Sequence, residues 1–153
     1  MRRCGGALAL VIGSVLAGCT APGGQGRLER LYLDLSDAAR GDELLDPLYD
    51  VLSPASKERL DWPDLMFLLA TPSKFRDFPD VGGLFACGRF VQAARGPRPS
   101  EWFVVIRRPD ADYRLLFILD AAGDLRMGLV EQMLLIASNR SEYSWIVDDS
   151  QAE

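Results

Sequence analysis

No histidine occurs among the 153 residues. That absence removes Ser–His and Cys–His nucleophilic catalysis and the common zinc sites, all of which need an imidazole. Lysine is almost as scarce, with Lys57 and Lys74 alone, and the chain carries a net charge of −5. An acidic chain without a basic cluster lacks the electrostatic footprint of a nucleic-acid binder, or of a protein docked by charge on anionic lipid. A phosphate-cradling glycine loop is missing too: Gly5-Gly6 and Gly23-Gly24 lie outside any strand–helix unit, and Gly82-Gly83 stands before a segment read as a strand. The acidic pairs Asp110/Asp112 and Asp120/Asp124 lack the spaced ligand set of a calcium loop and read as solvated turn acids, as do Asp77, Asp80 and Asp148-Asp149. Neither a metal nor a cofactor is expected.

The first nineteen residues carry an address. Arg2 and Arg3 precede an apolar run from Ala7 to Ala17, broken by Gly13 and Ser14. The run is too short to span a bilayer comfortably and has no stop-transfer flank, so it reads as a cleaved signal. It closes on Leu16-Ala17-Gly18-Cys19. This tetrapeptide resembles the lipobox of bacterial lipoproteins, in which small residues before a cysteine fit the lipoprotein signal peptidase. The resemblance implies that the Cys19 thiol becomes a diacylglyceryl thioether and that its freed amine is acylated after cleavage. Several acyl chains together hold a protein on a bilayer durably. Thr20 takes the place of the Asp that commonly retains lipoproteins on an inner membrane, so the expected location is the outer membrane, facing the periplasm. Cleavage leaves 15 basic against 22 acidic residues, about −7. With Cys4 removed and Cys19 consumed by lipid, the expectation is a mature domain without an intramolecular disulfide.

The division expected is therefore a signal peptide at 1–18, the lipidated cysteine and a flexible tether at 19–26, one domain at 27–148, and an acidic tail at 149–153. Residues 27–40 read as an amphipathic helix with Leu28, Leu31, Tyr32, Leu35, Ala38 and Ala39 on one face. Gly41 is placed as its left-handed C′ residue, and Asp42 as the cap of a second helix through Leu52, with Asp46-Pro47 as a competing start. Ser53-Pro54 opens a short helix to about Leu60. Asp61 with Asp64 caps another, in which Trp62, Leu65, Met66 and Leu69 share helical spacing. After a turn-rich stretch, Leu84–Arg95, Glu101–Arg108, Tyr113–Asp120 and Leu125–Ile136 read as strands joined by short breakers, hence an antiparallel meander. Tyr143–Val147 is a candidate fifth strand. Helices first and strands afterwards predict an α+β domain, its N-terminal helices packed on a curved, cone-like antiparallel sheet. Trp102-Phe103-Val104-Val105-Ile106 is apolar on both faces, so its second face needs a cover: a partner, a lipid or the C-terminal segment.

Ala39-Arg40-Gly41-Asp42, then Tyr49 to Leu60 with Leu52-Ser53-Pro54-Ala55-Ser56 inside it, and the turn at Ala122-Gly123-Asp124 resemble the nuclear transport factor two-like superfamily, in particular its small envelope lipoproteins. The resemblance spans residues 28–136 and rests on local-structure motifs. It implies a sheet wrapped as a cone around helices, with isomerases and dehydratases as well as non-catalytic binding modules among its members. No catalytic residue of those enzymes maps onto a position here.

Few side chains remain as candidates for chemistry. Asp34 and Asp50 lie beside Tyr32 and Tyr49, the pairing that a pocket carboxylate acting as general base would use. Cys87 is placed on a strand with Phe85 and Arg89, and Asn139-Arg140-Ser141 reads as a turn. The expected function is a membrane-anchored, non-enzymatic binding or scaffolding module, attached to lipid through Cys19 and contacting another envelope protein or a small apolar ligand. An isomerase- or dehydratase-like enzyme, and a contact-only accessory of a secretion or cell-wall machine, are the alternatives.

Overall fold

A computed structural model describes residues 23–148. The signal peptide, Leu16, Ala17, Gly18, Cys19 and the acidic tail lie outside the described residues. Helix α1 (Gly23–Arg40) begins four residues before the expected 27. Tertiary contacts explain the early start, since glycines alone would not hold a helix. Gly24 sits so tightly against Trp102 that an added Cβ would lie 2.5 Å from the indole, and Gln25 Nε2 donates to Ala93 O at 3.3 Å. Leu28, Tyr32, Leu35 and Ser36 face inward, while Arg27, Arg30, Asp34 and Asp37 are exposed. At the other end the left-handed residue is Asp42 (φ 56°), one position beyond the expected Gly41. Glu43 N donates to Ala38 O and Asp42 N to Ala39 O, the paired bonds of a Schellman ending. Asp42 thus closes α1 and does not cap the next helix. Helix α2 (Leu45–Val51) instead starts from Leu44, with Asp46 and Pro47 in its first turn.

The next two helices start as their capping residues dictate. In α3 (Pro54–Arg59) the Ser53 hydroxyl accepts from Ser56 N, and in α4 (Trp62–Ala70) the Asp61 carboxylate accepts from Asp64 N. Helix α4 buries Leu65 and Leu68. Trp62 and Met66, expected to share the inward face with Leu65, stay exposed.

Two of the expected strands begin or end as helices. Residues Val81–Ala86 form α5, because the Asp80 side chain accepts from Gly83 N and caps it. The strand proper, β1 (Arg89–Arg95), follows Gly88. Likewise Leu125–Met127 is the short strand β4, and Leu129–Ala137 is helix α6. Between them β2 (Glu101–Arg107) and β3 (Asp112–Leu119) complete an open, four-stranded antiparallel sheet in the order β1-β2-β3-β4. The domain is α+β, with N-terminal helices on the sheet as expected. Val91 is the extra residue of a bulge, since Phe90 pairs with Ile106 and Gln92 with Val105.

The Gln132 side chain explains part of the switch from strand to helix after β4. Its Oε1 accepts from Leu116 N at 2.8 Å, and its Nε2 donates to Arg114 O and Tyr143 O. Gly128 N also donates to Leu116 O. A backbone edge that a longer β4 would have paired is thus satisfied by a glycine amide and one amide side chain. Further along the same edge, Arg114 N donates to Trp145 O and Val147 N to Asp112 O. The expected fifth strand is therefore one isolated bridge, Tyr113 with Ile146, preceded by a 3-10 turn at Ser141–Tyr143.

Both sheet faces are covered from within. Trp102, Val104 and Ile106 join the main core with Leu28, Leu35, Leu48 and Leu65. Phe103 packs with Leu116 and Tyr143, flanked by Leu135 and Ile136 of α6. Of the three covers considered for that second face, the C-terminal segment is the one found.

Candidate functional site

The Asp–Tyr pairs are not assembled. Tyr32 is buried between Phe85 and Phe90, and its hydroxyl donates to Leu84 O at 2.8 Å. Burial pushes its pKa up to about 12, against a smaller opposing pull from Arg40. Asp34, two residues along α1, points away to solvent. Asp50 is exposed, and Tyr49 lies beneath Lys57 Nζ, 5.1 Å from the ring centre. The turn acids are occupied individually: Asp112 by Arg107, Asp110 by the Tyr113 hydroxyl, and Asp120 by the amides of Ala122 and Asp124. Among the described residues no group of three or more His, Cys, Asp or Glu is placed to hold a metal ion.

Cys87 is not on a strand; it terminates α5. It is also disulfide-bonded, against the expectation of a disulfide-free domain. Asn139, at φ 63°, ends α6 in a left-handed turn, with Arg140 N donating to Leu135 O.

The serines of Ser53-Pro54-Ala55-Ser56 do more than start a helix. Both hydroxyls donate to Glu131 Oε1, at 2.8 and 2.7 Å, and Ser56 Oγ accepts from Val130 N. They fasten α3 to the first turn of α6. A second buried polar cluster joins Glu101, 3% exposed, to Tyr143. Burial, then the bond to Glu101, pushes the Tyr143 hydroxyl up to about 12. Both clusters span long sequence separations, and no local motif announces them.

Two surface features remain. One is a groove of about 680 Å³ between α1, the end of α2 and β4. Arg27, Arg30 and Arg126 line it with Asp34 and Asp124, over apolar Leu31, Val51 and Leu125. Two of the arginines are held by backbone: Arg27 Nη2 donates to Gly123 O and Arg126 Nη1 to Asp50 O, both at 2.8 Å. Arg126 also pairs with Asp120 and Asp124. The other feature is the outer side of α4, where Trp62 (41% exposed), Met66 (45%) and Phe67 (47%) lie beside exposed Pro63 and Ala70. Phe67 meets Phe75 edge-on, and Lys74 Nζ sits 5.9 Å above its ring. An amphipathic helix normally presents polar residues on this side.

The two features lie toward different ends of the domain. The start of α1 is against Trp102 and Ala93. Ser36, about 18 Å further along the helix, bonds to Phe85 of α5, and α5 meets Leu69 of α4 at Gly82. Helix α4 is thus associated with the far end of α1.

Searches of known protein families, curated proteins and solved structures return no match to this chain. Among the described residues no helix is long and apolar enough to cross a membrane.

Proposed function

We propose that the chain is the precursor of a bacterial envelope lipoprotein, anchored through acylated Cys19 in the outer membrane and facing the periplasm. Its domain acts as a non-enzymatic binding module for another envelope protein, and is a small, open-sheeted relative of the nuclear transport factor two-like superfamily. The observation that carries the anchoring is Leu16-Ala17-Gly18-Cys19 placed after two arginines and an apolar run, with helix α1 starting only four residues later. The outer side of α4 supports the contact role. Exposed tryptophan, methionine and phenylalanine on one helix are the residue types enriched at protein interfaces, and they lie away from the tethered end. The superfamily reading rests on Ala39-Arg40-Gly41-Asp42, on Tyr49 to Leu60 and on the turn at Ala122-Gly123-Asp124.

Cells fed labelled palmitate test the anchor. The unaltered protein takes up label and partitions into detergent, whereas Cys19→Ala remains an unlabelled, full-length precursor. Processing and labelling of the Cys19→Ala protein would refute the reading. For the contact role, Met66→Ser with Phe67→Ser should leave helical circular dichroism unchanged and abolish rescue of a deletion strain. Full rescue by that double variant would remove α4 as the contact surface.

A further inference from the structure

We infer that the groove beside the start of α1 binds a zwitterionic phosphodiester headgroup, a phosphate carrying a primary ammonium, from the bilayer that Cys19 anchors. The source of the ligand rests on the anchoring proposed above; the chemistry of the groove stands independently of it.

Position is the first argument. Four extended residues from Cys19 to Gly23 span at most about 14 Å. One helical turn, about 5 Å, then reaches Gly26, which lines the groove. Covalent geometry therefore keeps the near edge of the groove within about 20 Å of the anchored cysteine, and Asp34, at its far edge, within about 31 Å.

Charge arrangement is the second. The groove sets three guanidinium groups against two carboxylates over an apolar floor. Gly123 O holds Arg27 in place, while Arg126 is taken up by Asp50 O, Asp120 and Asp124, which leaves Arg27 and Arg30 as the cations and Asp34 as the carboxylate open to a ligand. Arg30 and Asp34 share one side of α1, four residues apart, and both are exposed. Neither makes a hydrogen bond or ion pair with another described residue. A guanidinium fork suits a phosphodiester, and an aspartate suits an ammonium. The carboxylates argue against a purely anionic headgroup, as does the acidity of the chain. They disfavour inorganic phosphate for the same reason. A quaternary ammonium lacks the N–H donors that Asp34 would accept, so phosphoethanolamine should be preferred over phosphocholine.

The mature, lipidated protein, released from membranes in mild detergent, is exchanged into nanodiscs of equimolar phosphoethanolamine, phosphocholine and phosphoglycerol lipid. Lipid retained after re-extraction is then counted by native mass spectrometry. The expected result is retention of phosphoethanolamine lipid over each of the others by at least fivefold. Arg30→Gln should weaken retention roughly tenfold, the loss of one charged hydrogen-bonding partner. Asp34→Asn should keep phosphodiester binding but erase the preference over phosphocholine. Both residues are exposed, so circular dichroism of the variants should match the parent. Soluble glycerophosphoethanolamine should compete, while inorganic phosphate should not. Equal retention of the three lipids, an unaffected Arg30→Gln protein, or competition by inorganic phosphate at equal strength would each overturn the inference. The two proposals fail separately. Competition by glycerophosphoethanolamine in a protein that takes up no palmitate leaves the groove standing and removes the anchor. Palmitate labelling without headgroup selectivity does the reverse.

Discussion

The Tyr143 hydroxyl donates a 2.6 Å hydrogen bond to Glu101 Oε1, joining residues 42 apart in sequence and closed off from solvent on both sides. The same carboxylate oxygen accepts from Arg98 N, so the bond ties the C-terminal segment to the β1–β2 hairpin. Tyr143→Phe keeps the ring and its edge-on contact with Phe103, 5.8 Å between centres, and removes only the hydroxyl. The variant should lose about 1–3 kcal/mol, seen as a lower urea midpoint with an unchanged slope.

Alkaline pH should weaken the fold through two tyrosines. Burial, above all, raises the folded pKa of both Tyr32 and Tyr143 from the ordinary 10.0 to about 12. A raised value means that the fold favours the neutral phenol. Its contribution is complete below pH about 10, declines as unfolded tyrosine ionises, and is gone above pH about 12. Urea midpoints measured between pH 9 and 12 should fall across that window. Tyr32→Phe should flatten the decline, and an unchanged slope in that variant would contradict the assignment.

The two faces of β2 should be equally intolerant of charge. Val104 is 1% exposed beneath the helices and Phe103 is 5% exposed beneath α6 and Tyr143. An unpaired carboxylate in either place costs several kcal/mol, comparable with the whole stability of a small domain, about 5–15 kcal/mol. Val104→Asp and Phe103→Asp should both lose the cooperative unfolding transition. A folded Phe103→Asp protein would mean that the C-terminal cover opens readily.

Asp42→Gly should stabilise the domain. Asp42 holds a left-handed conformation at φ 56°, which glycine adopts without a steric penalty. Removing that strain, less the entropy that glycine adds to the unfolded chain, should yield up to about 1 kcal/mol. Thermal unfolding of the two proteins side by side measures it.

Most of this architecture is legible where a single residue carries its own instruction. Ser53 before Pro54, and Asp61 three residues before Asp64, state their helix starts locally, and both helices begin there. β-Branched and aromatic runs between short breakers likewise place β2 and β3 to within a residue. Legibility fails where an apolar run has no period of its own. Leu129 to Ile136 reads equally well as a buried strand or helix, and the deciding contact is Gln132 reaching backbone 16 residues away. The strand expected from Leu84 fails for a different reason, because the helix cap at Asp80 resembles an ordinary turn acid. The groove was not legible at all. Its arginines come from positions 27, 30 and 126, and only the packing of α1 beside β4 brings them together.

The closing of the β3 edge by Gly128, Gln132 and residues 145–147 bears on how the protein tolerates crowding. Proteins confined to a surface, as we propose here, meet their own copies far more often than in free solution. Sheets join most readily through a long, flat, unpaired strand. On the β3 side that route is blocked, and β4, beyond it, is only three residues long. On the β1 side the strand is bent by the bulge at Val91, bounded by Arg89 and Arg95, and already engaged at Ala93 O by Gln25. Neither margin of the sheet offers a neighbouring copy an easy template, so dense packing on a membrane need not lead to fibrous self-association.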